Sequence, residues 1–159
     1  MRELKYEQKE GNSELRSPLN TCGEKGYYVL FLKCTRDVNV KIKDRGEFYF
    51  KRGYYAYIGS SFIRGGIQAR LRHHLKKKKK KFWHIDFLTS NESFTIAGYI
   101  CLSSQKRGLE AELAEAAEEY CEPYIKGFGA TDTKDAGHLF FIGEDVFEFL
   151  YHFMKGLFA

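Results

Sequence analysis

The sequence contains no apolar run near the roughly 20 residues that cross a bilayer, so no membrane partner is expected. Its opening residues, MRELKYEQKE, are charged where a secretory leader carries an apolar block, which predicts a cytoplasmic protein. The four cysteines, Cys22, Cys34, Cys101 and Cys121, include no C-x-x-C pair. That spacing argues against a zinc knuckle or a disulfide framework and predicts buried, reduced thiols. No internal repeat is visible, and no residue pattern suggests a redox or organic cofactor. Acidic residues are nearly missing from one stretch. Residues 61–90 hold Arg64, Arg70, Arg72, Lys76, Lys77, Lys78, Lys79, Lys80 and Lys81 against Asp86 alone. Nine positive charges less one negative leave +8 there; since the whole chain carries +5, the rest carries −3. So local a positive field suits a polyanion, most simply nucleic acid bound by Arg64, Arg72 and the lysine run. The plainer reading is a solvated run that serves solubility.

Of the 159 residues, 43% are hydrophobic and 16% aromatic, enough for one domain with one core. Residues 1–24 are polar and unperiodic and read as a flexible or loosely docked tail; residues 25–159 read as the folded domain. Gly26 to Leu32 is a nearly continuous apolar run, too short for a helix, and predicts a strand buried on both faces. Tyr28, Leu30 and Leu32 share one of those faces. The alternation from Val38 to Phe50 about a turn at Asp44-Arg45-Gly46 predicts a hairpin. Gly53 to Gly59 predicts a strand with Tyr55 and Tyr57 on one side, followed by a helix opening at Gly66 or Ile67. Ile67, Leu71 and Leu75 would form its apolar stripe, with His74 inside the stripe and Arg70 at its edge. That helix is expected to stop within the lysine run, where like charges repel. A short helix is predicted over residues 82–88, a strand over 94–102, a helix over 108–121 and a strand over 139–142. Asp145 caps a last amphipathic helix. The order β-ββ-β-α-α-β-α-β-α predicts an α+β fold, a small, mostly antiparallel central sheet flanked by helices, with an extra hairpin.

Two features point to phosphate chemistry. A phenol-rich strand feeds through a glycine-rich turn into a helix carrying Arg70 and His74, although a core unit with a snorkelling arginine would read the same way. On the helix after Gly108, the apolar group centres about 40° past Leu109, and Glu110 lies about 60° from that centre. It is the acid most nearly turned inward, so it must be paired, metal-bound or protonated. A salt bridge to Arg70, or a charge interaction with the helix N-terminus, is the structural alternative.

Together these residues add up to a resemblance. Gly26-Tyr27-Tyr28, Tyr57-Ile58-Gly59, Arg70 and Leu109-Glu110 with Leu113, in this order, resemble the GIY-YIG endonuclease superfamily. Trp83-His84-Ile85-Asp86, Gly127 to Asp132 and His138-Leu139-Phe140 are similar to motifs of its single-domain, Uri-type group of unassigned function. The resemblance spans about residues 26–142. It implies a three-stranded antiparallel sheet and metal-dependent cleavage of phosphodiesters. Tyr28 and Tyr57 would be the paired phenols near the attacking water, and Arg70 the cation on the transition state. Glu110 would be the carboxylate ligand of one Mg²⁺ or Mn²⁺, and His74 matches a histidine often found after the arginine. The chain departs from the pattern in the long Tyr28–Tyr57 interval, the long Ser60–Gly66 loop, the lack of an asparagine after Glu110, and Thr133 and Gly137 in place of cysteine and serine. These departures bear on substrate choice.

The expected activity is therefore hydrolysis of DNA by a monomer or homodimer. A catalytically inactive nucleic-acid-binding module on the same fold is the alternative. A protein-interaction domain is a third reading, and it requires the aromatic C-terminal helix to expose its Phe and Tyr residues.

Overall fold

The computed structural model describes Cys22 and residues 24–43, 45–129 and 137–159. Nearly all of the proposed tail, Asp44 of the expected turn, Ala130 to Asp132 of the last motif, and Thr133 lie outside the described residues. The run Gly26–Cys34 forms β1, buried along almost its whole length. It sits inside a four-stranded sheet between β5 (Phe94–Ser103) and β4 (Gly53–Ser61), with β6 (Leu139–Gly143) on the far side of β4. Every pairing is antiparallel. The fold class is thus α+β as expected, but the sheet has four strands rather than three. The short apolar run at Leu139 pairs with Tyr54 to Tyr57 of β4 and covers part of an otherwise bare edge. The hairpin also forms, as β2 (Val38–Lys41) and β3 (Glu47–Phe50), and makes a separate two-stranded sheet.

Among the described residues, four helices cover the central sheet. α1 (Gly66–Leu75) and α2 (His84–Thr89) pack on one face with the hairpin, against Tyr28, Leu30, Leu32, Tyr55 and Tyr57. On the other face lie α3 (Glu110–Glu118) and α4 (Val146–Leu157), against Tyr27, Val29, Phe31, Ala56 and Ile58. The period-two alternation of β1 and β4 sorts these side chains between two cores. Asp145 caps α4 as predicted, its Oδ1 accepting from the Glu148 amide at 2.9 Å. No helix among the described residues is long and apolar enough to cross a membrane.

Three local expectations need correction. Leu75 does not join the inward stripe of α1. It is exposed, while His74 is buried beside Ile67 and Leu71, so the histidine occupies the inward position. The helix ends at Leu75, before the lysine run rather than within it, and Lys76 follows in an extended conformation. Nor are all the thiols reduced, because Cys22 and Cys101 form a disulfide across 79 residues. The pairing of β5 with β1 sets Cys101 opposite Tyr28, and the segment preceding β1 brings Cys22 to it. No sequence spacing reveals a contact made by strand pairing over that separation. Cys34, buried, and Cys121, half-buried, remain free.

Candidate active site

A cleft of about 170 Å³ opens at the C-terminal half of β4. β6 pairs with β4 as far as Tyr57, and past that point no strand among the described residues lies beside Gly59 and Ser60 on the β6 side. There, side chains from both layers meet. Tyr28, Tyr57, Arg70, Glu110, Trp83 and His138 all line the cleft. Four side chains singled out from the sequence thus share one small volume, although they come from β1, β4, α1 and α3.

The register explains the phenols. Tyr28 lies opposite Gly59 and Tyr57 opposite Leu30, so both rings project on the α1 side with centroids 6.4 Å apart. A Cβ on Gly59 would collide with the Tyr28 ring, which makes that glycine a seat for the phenol. Gly129, at φ 71°, lies so close to Tyr57 that an added Cβ would come within 2.9 Å of the ring. Burial pushes the Tyr57 phenol up to about 12, against the opposing effect of Arg70 and with a further push from Asp86. The Tyr28 phenol is raised well above its ordinary value of 10, by burial first and then by Tyr57. Arg70 alone therefore does not ionise either phenol; both are neutral hydrogen-bond donors near pH 7.

Arg70 is held flat, its guanidinium carbon 3.6 Å from the centroid of the Trp83 ring. Among the described residues it forms no ion pair, and its Nε is buried without a hydrogen-bond partner. The salt bridge to Glu110 that the sequence left open does not form. A guanidinium with donors to spare, facing a cleft, is arranged to receive an anion. Glu110 is the first residue of α3 and half-buried. Its position is fixed by Tyr27, whose Oη donates to the Lys106 carbonyl at 2.7 Å and accepts from the Leu109 amide at 3.1 Å.

His74 reaches the cleft through Tyr28, with Tyr28 Oη 2.7 Å from its Nε2. On the other side of the ring is Asp86, fully buried. Its Oδ2 accepts from the Phe82 amide at 2.8 Å, the Trp83 amide at 3.1 Å and His73 Nε2 at 3.1 Å. Burial works against the Asp86 charge, but His74, the two amides and His73 more than offset it and hold the carboxyl well below its usual range. Burial also lowers the His74 pKa beneath 6.5, although Asp86 pulls it upward, so the imidazole is neutral near pH 7.

One lysine of the run is drawn away from solvent. Lys79 turns inward and donates to the carbonyls of His73 and His74 and to Thr89 Oγ1, at 3.0, 2.9 and 2.6 Å. With burial lowering its pKa to about 8, it caps α1 rather than facing solvent phosphate. Lys77 donates to the carbonyls of Asn91 and Phe94. Carbonyls at the end of α1 thus recruit Lys79 away from solvent, whereas Lys77 reaches carbonyls at the start of β5 and stays exposed. Arg64, Arg72, Lys76, Lys77, Lys78, Lys80 and Lys81 remain at the surface.

The sequence alone assigns no role to Trp83, Asp86 or Tyr27. For Asp86 a signal existed, since it is the one acid in the most basic stretch of the chain. For Tyr27 there was none beyond its place next to Tyr28. Among the described residues no three His, Cys, Asp or Glu side chains gather as a metal cage. A hard cation held by one carboxylate, with water and substrate oxygens completing its shell, still fits Glu110.

The fold and cleft define an α+β domain in which two phenols, a guanidinium with no ion pair among the described residues and a carboxylate face one small opening. The chain belongs to the family described as a domain of unknown function, DUF123, which matches residues 27–159. No curated protein and no solved structure matches it.

Proposed function

We propose that this protein is a nuclease of the GIY-YIG type that hydrolyses phosphodiester bonds in DNA with Mg²⁺ or Mn²⁺. The observation that carries the reading is the convergence of Tyr28, Tyr57, Arg70 and Glu110 on one cleft. Arg70 takes the non-bridging oxygens of the scissile phosphate and stabilises charge as the phosphorus becomes five-coordinate. Water attacks beside Tyr28, giving a proton to the phenol oxygen while the phenol passes its own proton to neutral His74 Nε2. The bond from phosphorus to the leaving oxygen breaks, and that oxygen takes a proton from solvent. Glu110 would hold the divalent ion, which when bound supplies Lewis-acid stabilisation of the phosphate oxygens. Tyr57, neutral, donates to the phosphate or the water and helps exclude bulk solvent. The exposed Arg64, Arg72 and remaining lysines add sequence-independent affinity that weakens with salt.

The test is incubation of purified protein with supercoiled and linear DNA plus Mg²⁺ or Mn²⁺. Nicking or cutting is expected, and Glu110→Ala and Arg70→Ala should abolish it while melting as the wild type does. Undiminished cleavage by Glu110→Ala would place the activity elsewhere. Binding that is salt-sensitive, indifferent to metal and without product would favour the inactive binding module.

One observation favours a second reading, self-association, which accompanies nuclease action rather than replacing it. α4 and the residue after it expose Phe147, Tyr151, Met154 and Phe158, the first 83% and the last 81% accessible. Their four-three-four spacing is a heptad seam, with Glu148 and Lys155 on the same flank. Two copies packed antiparallel along this seam set Glu148 of each opposite Lys155 of the other. A homodimer of this kind presents two clefts, enough to cut both strands in one encounter, where a monomer needs two visits. Sedimentation should show a dimer that Tyr151→Glu converts to monomer; a wild-type monomer at all concentrations removes this reading.

A further inference from the structure

His74 Nδ1 and Asp86 Oδ1 face each other at 3.5 Å, both buried, and neither has a hydrogen-bond partner. The separation exceeds an ordinary N–H···O bond, yet an ionised carboxylate aimed at one ring nitrogen decides which nitrogen carries the proton. Asp86 divides its labour between its oxygens. Oδ2 is engaged by the Phe82 and Trp83 amides and His73, which builds the start of α2. Oδ1 is left for His74, with Lys79 Nζ at 3.8 Å as the other charge nearby. A carboxylate needed only to cap α2 has no use for a second oxygen set against a buried imidazole.

Resting on the nuclease reading above, we propose that Asp86 is a positioning residue. It holds His74 as the Nδ1–H tautomer, so that Nε2 presents its lone pair to Tyr28 and takes the phenol's proton. Tyr28, His74 and Asp86 form a relay that runs from the cleft inward, from β1 through α1 to α2. The transfer balances: the Tyr28 O–H proton becomes the Nε2–H of an imidazolium, the phenol is reprotonated by the attacking water, and the Asp86 charge stabilises the cation without being protonated. The groups facing His74 are Tyr28 from β1, Tyr57 from β4, Arg70 and His73 from α1, Lys79 after it, and Asp86 from α2. Arg70 and Lys79 disfavour the imidazolium, so among these neighbours Asp86 is the anion that sustains it.

Asp86→Asn isolates this role. The amide oxygen still caps α2, while its NH₂ group faces Nδ1 as a donor and forces the proton onto Nε2, where it opposes transfer from Tyr28. The experiment is long-range ¹H–¹⁵N NMR of the histidine rings in metal-free, DNA-free protein, alongside cleavage kinetics against pH. Wild-type His74 should show the Nδ1–H pattern and Asp86→Asn the Nε2–H pattern. In the variant kcat should fall by about 10²–10⁴-fold, as tautomer inversion does in a Ser-His-Asp triad, at nearly constant KM. Losing the carboxylate also lowers the His74 pKa further, so the acid limb of the residual rate should move to lower pH. An Nε2–H tautomer in the wild type overturns the proposal with no variant needed. An unchanged tautomer in the variant, or an unchanged rate despite inversion, also overturns it. If wild-type protein cuts no DNA, the nuclease reading fails, and the NMR pattern still decides whether Asp86 sets the ring.

Discussion

The two faces of the sheet are built on different terms. Under α3 and α4 the core is Leu113, Ala116, Ala117, Phe149 and Phe153 against Val29, Phe31 and Ile58, and no fully buried charged residue belongs to it among those described. Under α1 and α2 the core is also largely apolar, yet His74 and Asp86 are buried within it and Lys79 closes over them. Burying charge stabilises a fold no better than burying hydrocarbon of the same shape. The apolar face therefore holds the domain together, and the polar face carries an arrangement that folding alone does not call for. The cleft opens where the two faces meet, at the C-terminal half of β4.

Breaking each face separately should give opposite signatures. On the apolar face, Phe149→Ala removes a ring that contacts Phe31, Tyr120 and Phe153. It should cost about 3–5 kcal/mol in denaturant unfolding, with cleavage per folded molecule unchanged. Loss of the Cys22–Cys101 link, by reductant or by Cys22→Ser, should cost about 2–4 kcal/mol by releasing a long loop in the unfolded chain. Because Cys101 lies opposite Tyr28, this link fastens the polar face at its edge strand. Tyr28→Phe deletes one oxygen on that face. Its cost in stability should be about 1–2 kcal/mol, the imidazole having lost its partner, while cleavage falls at least about 10²-fold.

The pH dependence of stability should also come from one face, since His74 and Asp86 both belong to the polar one. The His74 pKa is depressed in the folded state, so just below pH 6.5 the unfolded chain binds more protons than the native one. Stability is then full above that value and declines as pH falls through the lower folded pKa. Asp86 contributes in the same direction at lower pH, its stabilisation being complete above the ordinary carboxylate value of 3.8 and lost as pH drops toward its depressed one. Thermal midpoints should fall from about pH 7 to about pH 5, and His74→Gln should flatten that first decline. An undiminished decline in His74→Gln would show that other groups cause it.

Much of this protein is legible along the chain. The alternation in Gly26–Cys34 and Gly53–Ser61, the cap at Asp145 and the order of elements all follow from local periodicity and turn chemistry, which act over a few residues. The same periodicity turned Glu110 inward and set Tyr28 and Tyr57 on corresponding faces. Four features needed the fold. β6 joins as the fourth strand, Cys22 finds Cys101, Lys79 leaves the surface to cap α1, and Asp86 meets His74. Each depends on pairing or packing between segments whose spacing says nothing about their distance. Amino-acid order sets which side chains are available for the proposed phosphate chemistry; which of them meet follows from the fold, because contact across the sheet is set by register and layer packing rather than by nearness in the chain.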